Sequence, residues 1–354
     1  MKICITGSAG LIGFNSVQYF SKNKNNKIYG IDKNFRKIFY GDDGDVSKNI
    51  IELSKLFNYF HFDEDIRNRE FIENLFKKEQ FDAVIHTAAQ PAHLWPDLEK
   101  DNDGIIIDFE INVTATLYLL EAFRKYCSKD SIFVFMSTNK CFGDAPNDIS
   151  FKELETRFDF DDPKYINGID ETLRVQNTTH SLFGAGKLSA DTYVKETGKY
   201  FNLNTACLRG GCLTGRAAGT EQHNFLNYLI KCNVVGRKYN VAGYKMKQVR
   251  DNIHSSDVVK IIENIIENPV KGEVFNIGGM RSNSISIMEA FDKAENITGK
   301  KMIYEYRDEI RKGDHRIYIS NMNKFQSHYP NWRLQYSLDD IFEDIIEGFK
   351  NNNV

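Results

Sequence analysis

The stretch Lys2-Ile3-Cys4-Ile5-Thr6-Gly7-Ser8-Ala9-Gly10-Leu11-Ile12-Gly13 decides how the rest of the chain is read. Lys2 to Thr6 is a short apolar run rich in β-branched residues and predicts a buried strand. Leu11 to Phe20 carries apolar residues at helical spacing. The glycines between them have separate duties. Gly7 permits a tight turn, Gly10 lets the backbone approach a pyrophosphate, and Gly13 lets the helix pack closely against the sheet. Free N–H groups at the helix start, reinforced by the helix dipole, then face the phosphates. Strand before and helix after are the context that a dinucleotide-binding turn requires. The alternative is a glycine turn that binds nothing.

Lys27 to Asp32 predicts the second strand, and Asp32 lies nineteen positions after Gly13. A carboxylate there accepts hydrogen bonds from both ribose hydroxyls and repels a 2′-phosphate, which favours NAD. Lys33 and Arg36 leave NADP open. Asp65-Ile66-Arg67 follows the strand Tyr59 to Phe62; its Asp serves either an adenine amino group or a helix cap. Phe81 to Thr87 and Ser131 to Ser137 predict further strands, and Val113 to Tyr126 an amphipathic helix. Alternating strands and helices argue for right-handed βαβ units on a doubly wound parallel α/β sheet of Rossmann type. From about Thr214 the alternation weakens. The expected division is a dinucleotide-binding domain over 1–213 and, over 214–354, a smaller substrate-binding region with some segments returning to the first.

Composition is that of an ordinary globular enzyme: 41% hydrophobic, 27% charged, and 46 basic against 49 acidic residues for a formal charge of -3. No global charge draws the chain to nucleic acid or an anionic membrane. No run approaches the roughly 18 apolar residues of a membrane span, and the first residues lack the features of a signal peptide. A cytoplasmic location is expected. The scattered cysteines, Cys4, Cys127, Cys141, Cys207, Cys212 and Cys232, read as reduced thiols. No His or Cys spacing predicts a metal.

The TGxxGxxG turn, Asp-Ile-Arg at 65–67, His86-Thr87-Ala88-Ala89-Gln90, Asn112, Ser137-Thr138, Lys187, Arg209 and Val249-Arg250-Asp251-Asn252-Ile253-His254 together resemble the extended short-chain dehydrogenases/reductases, the NAD-dependent epimerases and dehydratases of nucleotide sugars. Within them the chain looks most like the CDP-tyvelose (CDP-paratose) 2-epimerase group. The pointers are Ser137-Thr138-Asn139-Lys140, Gly143-Asp144, the run Arg209 to Gly215, and Lys247 to Asn252. The resemblance implies NAD held by Gly7, Gly10, Leu11, Ile12 and Gly13, by Asp32, Lys33 and Asn34, and by Asp65 and Ile66. Thr87, Ala88, Ala89, Gln90, Asn112, Ser137 and Lys187 complete that wall.

It also implies the reaction: a sugar hydroxyl is oxidised by hydride transfer to NAD, and the hydride returns to the opposite face of the ketone. In the family a Tyr-x-x-x-Lys pair on one helix moves the proton. Here the matching stretch is Phe183-Gly184-Ala185-Gly186-Lys187. The lysine is present and the phenol is absent. Three readings stay open. Another residue has taken the role: Lys140 first, then Lys187, His180, Cys141 or Tyr165. Alternatively, water and Lys187 sustain a slow reaction, or the protein binds without turnover.

Thr138 matches the family residue that hydrogen-bonds the reacting hydroxyl, or is simply a strand-end Thr. Asn139 and Lys140 stand where related 4,6-dehydratases carry Asp-Glu. Without those carboxylates, dehydration is disfavoured. On the substrate side the resemblance points to Gln90, Asn139, Lys140, His180, Cys212 and Asn224. Tyr239, Val241 and Tyr244 are expected near the base. Arg250 suits a diphosphate, against the alternative of a surface salt bridge with Asp251 or Asp257. Arg316 is a further lining candidate, with its neighbours from Arg311 and, upstream, His223. The long connection 145–182 is expected to cover the sugar. The resemblance also implies a homodimer, built through the helices Val113 to Tyr126 and Ala185 to Phe201. The expected function is a 2-epimerase acting on a CDP-hexose or related nucleotide sugar. A 4-epimerase, a dehydrogenase, and an inactive binding scaffold are the alternatives, with base, sugar and inverted carbon open.

Overall fold

The computed structural model describes residues 1–91, 103–221, 224–310 and 313–351. Its centre is a seven-stranded parallel sheet in the order Lys271–Ile277, Asn204–Gly210, Ile132–Thr138, Ala83–His86, Lys2–Thr6, Lys27–Ile31, Tyr59–Phe62. Lys2–Thr6 therefore lies inside the sheet, and the winding reverses between it and Ala83–His86. In open α/β sheets a ligand crevice forms at such a reversal, outside the carboxyl ends of the strands. The near-continuous apolar runs of these strands follow from burial on both faces.

One face is covered by helices Leu11–Phe20 and Ser255–Glu267 and by the aromatic side chains of Phe325, Tyr329 and Trp332. Helix Ser255–Glu267 buries Val258, Val259, Ile261, Ile262 and Ile265 along one stripe. Each such side chain contributes roughly 1.5–3 kcal/mol. The other face carries Arg69–Glu79, Ala115–Tyr126 and Leu182–Phe201. The last begins three residues before the expected Ala185 because Ser181 caps it, its Oγ accepting the Gly184 N–H at 3.1 Å. Ala115–Tyr126 continues from Gly104–Phe109 through the π-helical turn Glu110–Thr114.

The C-terminal half forms a second, smaller sheet from Cys212–Thr214, Val249–His254, Ser284–Ser286 and Ile317–Tyr318. It also supplies Lys271–Ile277 to the edge of the large one. The connection 145–182 contains the hairpin Phe151–Glu153 with Phe158–Phe160 and docks on the small sheet. There the Phe158 N–H meets the Lys247 carbonyl at 3.0 Å and Asp159 pairs with Arg281.

Candidate active site

A partly open cavity lies at the winding reversal. Gly7 and Gly10 meet in its wall with Leu11 and Ile12, and Asp32 with Lys33. Asp65 and Ile66 join them, as do Thr87, Ala88 and Ala89 from the next strand end. Ser137, Thr138, Phe183 and Lys187 close the far end.

Gly7 has φ of +66°, and a Cβ on it would meet the Ala88 nitrogen at 2.7 Å, so glycine alone fits there. Gly13 stands behind the wall, and a Cβ on it would lie 2.0 Å from the Gly7 carbonyl oxygen. Gly13→Ala must therefore push the turn out of shape. We expect protein purified from that variant to carry little dinucleotide, as read by chromatography of the nucleotide released on denaturation; full retention would show that the turn yields cheaply.

Asp32 is held for its task by the Ala9 N–H at 2.9 Å and the Asn34 N–H at 2.8 Å. Burial raises its carboxyl above the usual range, while these two N–H groups favour the ionised form. Asn34 thus acts through its backbone. Asp65 lines the cavity, and its Oδ2 accepts two N–H groups of the Arg67 guanidinium, at 2.7 and 2.9 Å. The cap of the following helix is Asn68, which accepts the Phe71 N–H, so the capping alternative for Asp65 falls away. Gln90 and Asn112 hold each other behind the wall: the Gln90 N–H and carbonyl both bond the Asn112 amide at 3.1 Å. His86 is a core residue, its ring bridging Thr6 and Thr116 at 2.6 and 2.9 Å.

At the far end Phe183 contributes an apolar ring that is 8% exposed. Lys187, one helical turn on, donates to the Met136 carbonyl at 2.8 Å and sits 4.4 Å from the Phe135 ring centre. Burial lowers its ammonium from 10.5 to about 8, and among the described residues it has no ion-pair partner. Thr138 Oγ1 accepts the Lys140 N–H at 3.2 Å.

Lys140 is placed differently. Its Nζ donates to the Gly313 carbonyl at 3.2 Å and to Asp314 Oδ1 at 3.0 Å, and the same oxygen accepts from Arg250 at 2.7 Å. Burial would raise the Asp314 carboxyl, yet Lys140 and Arg250 together hold it well below the usual range. The partner of Arg250 is therefore Asp314, and neither Asp251 nor Asp257, which accept backbone N–H groups instead. Cys212 adjoins this cluster, its thiol pushed up to about 12 by burial. Asn147 and Tyr244 both donate to the Asp314 carbonyl, at 2.8 and 3.4 Å. The Arg316 guanidinium lies 3.8 Å from the Phe151 ring centre and 5.6 Å from that of Tyr244. His180 bonds the Cys141 carbonyl at 3.0 Å.

Other expected residues stand apart from this cluster. Val241 belongs to an apolar cluster with Leu226 and Phe291, and Tyr239 packs edge-on against Phe291. Asn224 bonds the Leu213 carbonyl. Tyr165 packs beside Phe160 in the insert, and Cys141 is fully buried against Ser137. His223 and Arg311 lie outside the described residues. Arg209 is a buried structural residue, clamped to Asp191 at 3.0 and 3.1 Å. Phe35, Phe39, Glu64, Met136, Gly210, Gly211 and Leu213 also line the cavity, and none had been expected there. Of these, Gly210, Gly211 and Leu213 lie in the run Arg209 to Gly215 already singled out, with the two glycines at a strand end.

A glycine turn at the winding reversal, an acidic residue ending the second strand, and Thr138 with Lys187 at the opposite end define a dinucleotide-dependent enzyme cleft. The chain belongs to the NAD dependent epimerase/dehydratase family, whose model matches residues 3–278. It is 30% identical over 348 residues to CDP-paratose 2-epimerase of Salmonella typhi, covering 96% of each protein. It is 25% identical to dTDP-glucose 4,6-dehydratase 1 of Escherichia coli K12, over 99% of this chain and 93% of that one. Among solved structures it resembles UDP-glucuronic acid 4-epimerase from Bacillus cereus in complex with UDP-glucuronic acid and NAD. The TM-score is 0.79 at 24% identity, with 99% of this chain and all of that one covered.

Proposed function

We propose that this protein is an NAD-dependent nucleotide-sugar 2-epimerase acting on a CDP-hexose or a related nucleotide sugar through a keto-sugar intermediate. The observation that carries this reading is the chemistry at the end of Ile132–Thr138. Asn139 and Lys140 follow Thr138, and the carboxylate brought to this end, Asp314, is held ionised by two cations. A locked carboxylate cannot deliver the proton that water elimination needs, whereas oxidation and return need only a hydroxyl holder and a proton acceptor. The likeness to CDP-paratose 2-epimerase over 96% of both chains supports the choice of carbon and base.

The residues present fit NAD. Gly10 leaves open space at the helix start, where a Cβ would meet only the Gly7 carbonyl oxygen at 3.3 Å, and Asp32 faces the same cavity. When bound, NAD supplies reversible hydride acceptance, which no side chain provides. Thr138 then orients the sugar hydroxyl. Lys187 accepts its proton, because this residue lines the cavity and burial lowers its ammonium to about 8, while Lys140 is tied to Asp314 and orients the substrate with Arg250. The insert 145–182 shapes the sugar side through Asn147 and Phe151.

Incubating the protein with CDP- and UDP-hexoses in deuterium oxide, followed by NMR, tests this. Inversion at C2 with no solvent deuterium and no added NAD consumed is expected. Inversion at C4, net NADH release, or tight binding without turnover would each replace the reading with a 4-epimerase, a dehydrogenase or a scaffold. Lys140→Met separates the two lysines: it should weaken substrate binding and leave bound NAD in place, whereas loss of turnover at saturating substrate would make Lys140 the proton acceptor.

The proposal extends to a homodimer in the cytoplasm. The outer faces of Gly104–Phe109 and Leu182–Phe201 expose Ile105, Ile106, Phe109, Leu182 and Tyr193, an apolar surface suited to a second copy. All six cysteines are free, as a reducing compartment allows. No helix among the described residues is long and apolar enough to cross a membrane.

A further inference from the structure

Asn49 lies on the short helix Ser47–Leu53, outside every motif quoted above, and is 3% exposed. Its amide is fully committed. Nδ2 donates to the Ala9 carbonyl at 2.8 Å and the Ala218 carbonyl at 2.9 Å, and Oδ1 accepts the Ala218 N–H at 3.1 Å. Ala9 belongs to the glycine turn, and its N–H is one of the two that hold Asp32. Ala218 belongs to the segment 215–221 that leaves the small sheet. One side chain thus joins the phosphate-binding turn to the other half of the molecule.

The neighbouring contacts reinforce the same seam. Arg36, in the cavity wall beside Asp32, donates to the Gly219 carbonyl at 3.0 Å. Asn15 reaches the Arg216 carbonyl at 3.2 Å. Gly219 has φ of +71°, and a Cβ there would lie 2.3 Å from the Asp45 carbonyl oxygen, so the seam is closely packed. At its other end the segment is anchored by Asn227, which donates to the Gly215 carbonyl at 2.6 Å. It follows directly from Cys212–Thr214, whose Leu213 lines the cavity and whose Cys212 pairs in register with Asn252, two residues from Arg250. A continuous path of backbone and hydrogen bonds therefore runs from the Arg250–Asp314 cluster to the turn.

We infer that Asn49 is a positioning residue that couples occupancy of the substrate side to retention of the dinucleotide. The inference rests on the reading above for the nature of the two ligands. A nucleoside diphosphate engaging Arg250 steadies the small sheet and the segment 215–221; through Ala218 and Asn49 the Ala9 end of the turn is steadied with them. Coupling of this kind is reciprocal and typically amounts to about 5- to 150-fold.

The test measures release of NAD from the loaded protein after dilution, with and without CDP or UDP. In the unaltered protein the nucleotide should slow release by about fivefold or more. Asn49→Ala and Asn49→Asp should release NAD faster and lose that slowing; Asp keeps the size but turns an oxygen toward two carbonyls. A variant that keeps the same ratio of rates overturns the inference. Should both variants fail to fold, hydrogen exchange on the unaltered protein decides: CDP should protect the Ala9 and Ala218 amides together, and protection of Ala218 alone overturns it. Nucleotide binding by calorimetry without any effect on NAD release sinks the coupling only. Absence of nucleotide binding sinks the coupling and the nucleotide-sugar reading together.

Discussion

Replacing Phe183 by Tyr is expected to raise turnover by about tenfold to a hundredfold. A positioned acid/base contributes some 10²–10⁴ in rate, and part of that is already supplied if Lys187 takes the proton. Phe183 sits in the cavity wall one helical turn before Lys187, so a phenol oxygen would enter the space where a hydroxyl is handled. Once there, the neighbouring ammonium would lower the phenol pKa and make it the better base. The pH profile gives the companion result. With burial bringing Lys187 to about 8, the unaltered enzyme needs its neutral amine. Its rate should therefore climb as pH rises through about 8 and then level off. In Phe183→Tyr the climb should move to the titration of the new phenol–lysine pair. Lys187→Arg, which keeps a cation but holds its proton, should cut turnover by two orders of magnitude or more, and Phe183→Tyr on that background should restore much of it. A profile flat through pH 8, together with an active Lys187→Arg, would remove Lys187 from the role.

Removing Arg209 should cost about 3–5 kcal/mol of stability, the usual penalty for breaking a buried ion pair from one side. Asp191 is 1% exposed, and the Arg209 guanidinium supplies two of its hydrogen bonds; the third comes from Ser137 at 2.8 Å. In Arg209→Met the carboxylate stays buried with the Ser137 hydroxyl alone. Asp191 lies one helical turn beyond Lys187, and Ser137 directly precedes Thr138, so the damage should reach the catalytic end as well. Urea unfolding followed by circular dichroism measures the loss. The double variant Arg209→Met/Asp191→Leu should recover part of it, since an apolar pair of similar volume needs no charge compensation. A single variant within 1 kcal/mol of the unaltered protein would mean that water reaches the pair.

The contrast between these predictions follows the range over which each interaction acts. The glycine turn was legible because strand period, helix period and the steric need at Gly7 are all local. The same holds for Asp32 at the end of its strand and for Phe183 four residues before Lys187. Tertiary packing alone brought Asp314 to Lys140 and Arg250, across 174 and 64 residues of chain, and turned the first-choice proton acceptor into half of an ion pair. It also set Asn49 between Ala9 and Ala218 and clamped Arg209 on Asp191. A run of residues states its own periodicity and backbone freedom; it does not state which distant carboxylate will neutralise a buried cation. Local pattern was therefore enough for the cleft and its dinucleotide. Which lysine pairs with a carboxylate, and which side chain bridges Ala9 and Ala218, depended on desolvation and pairing that exist only once the chain has folded.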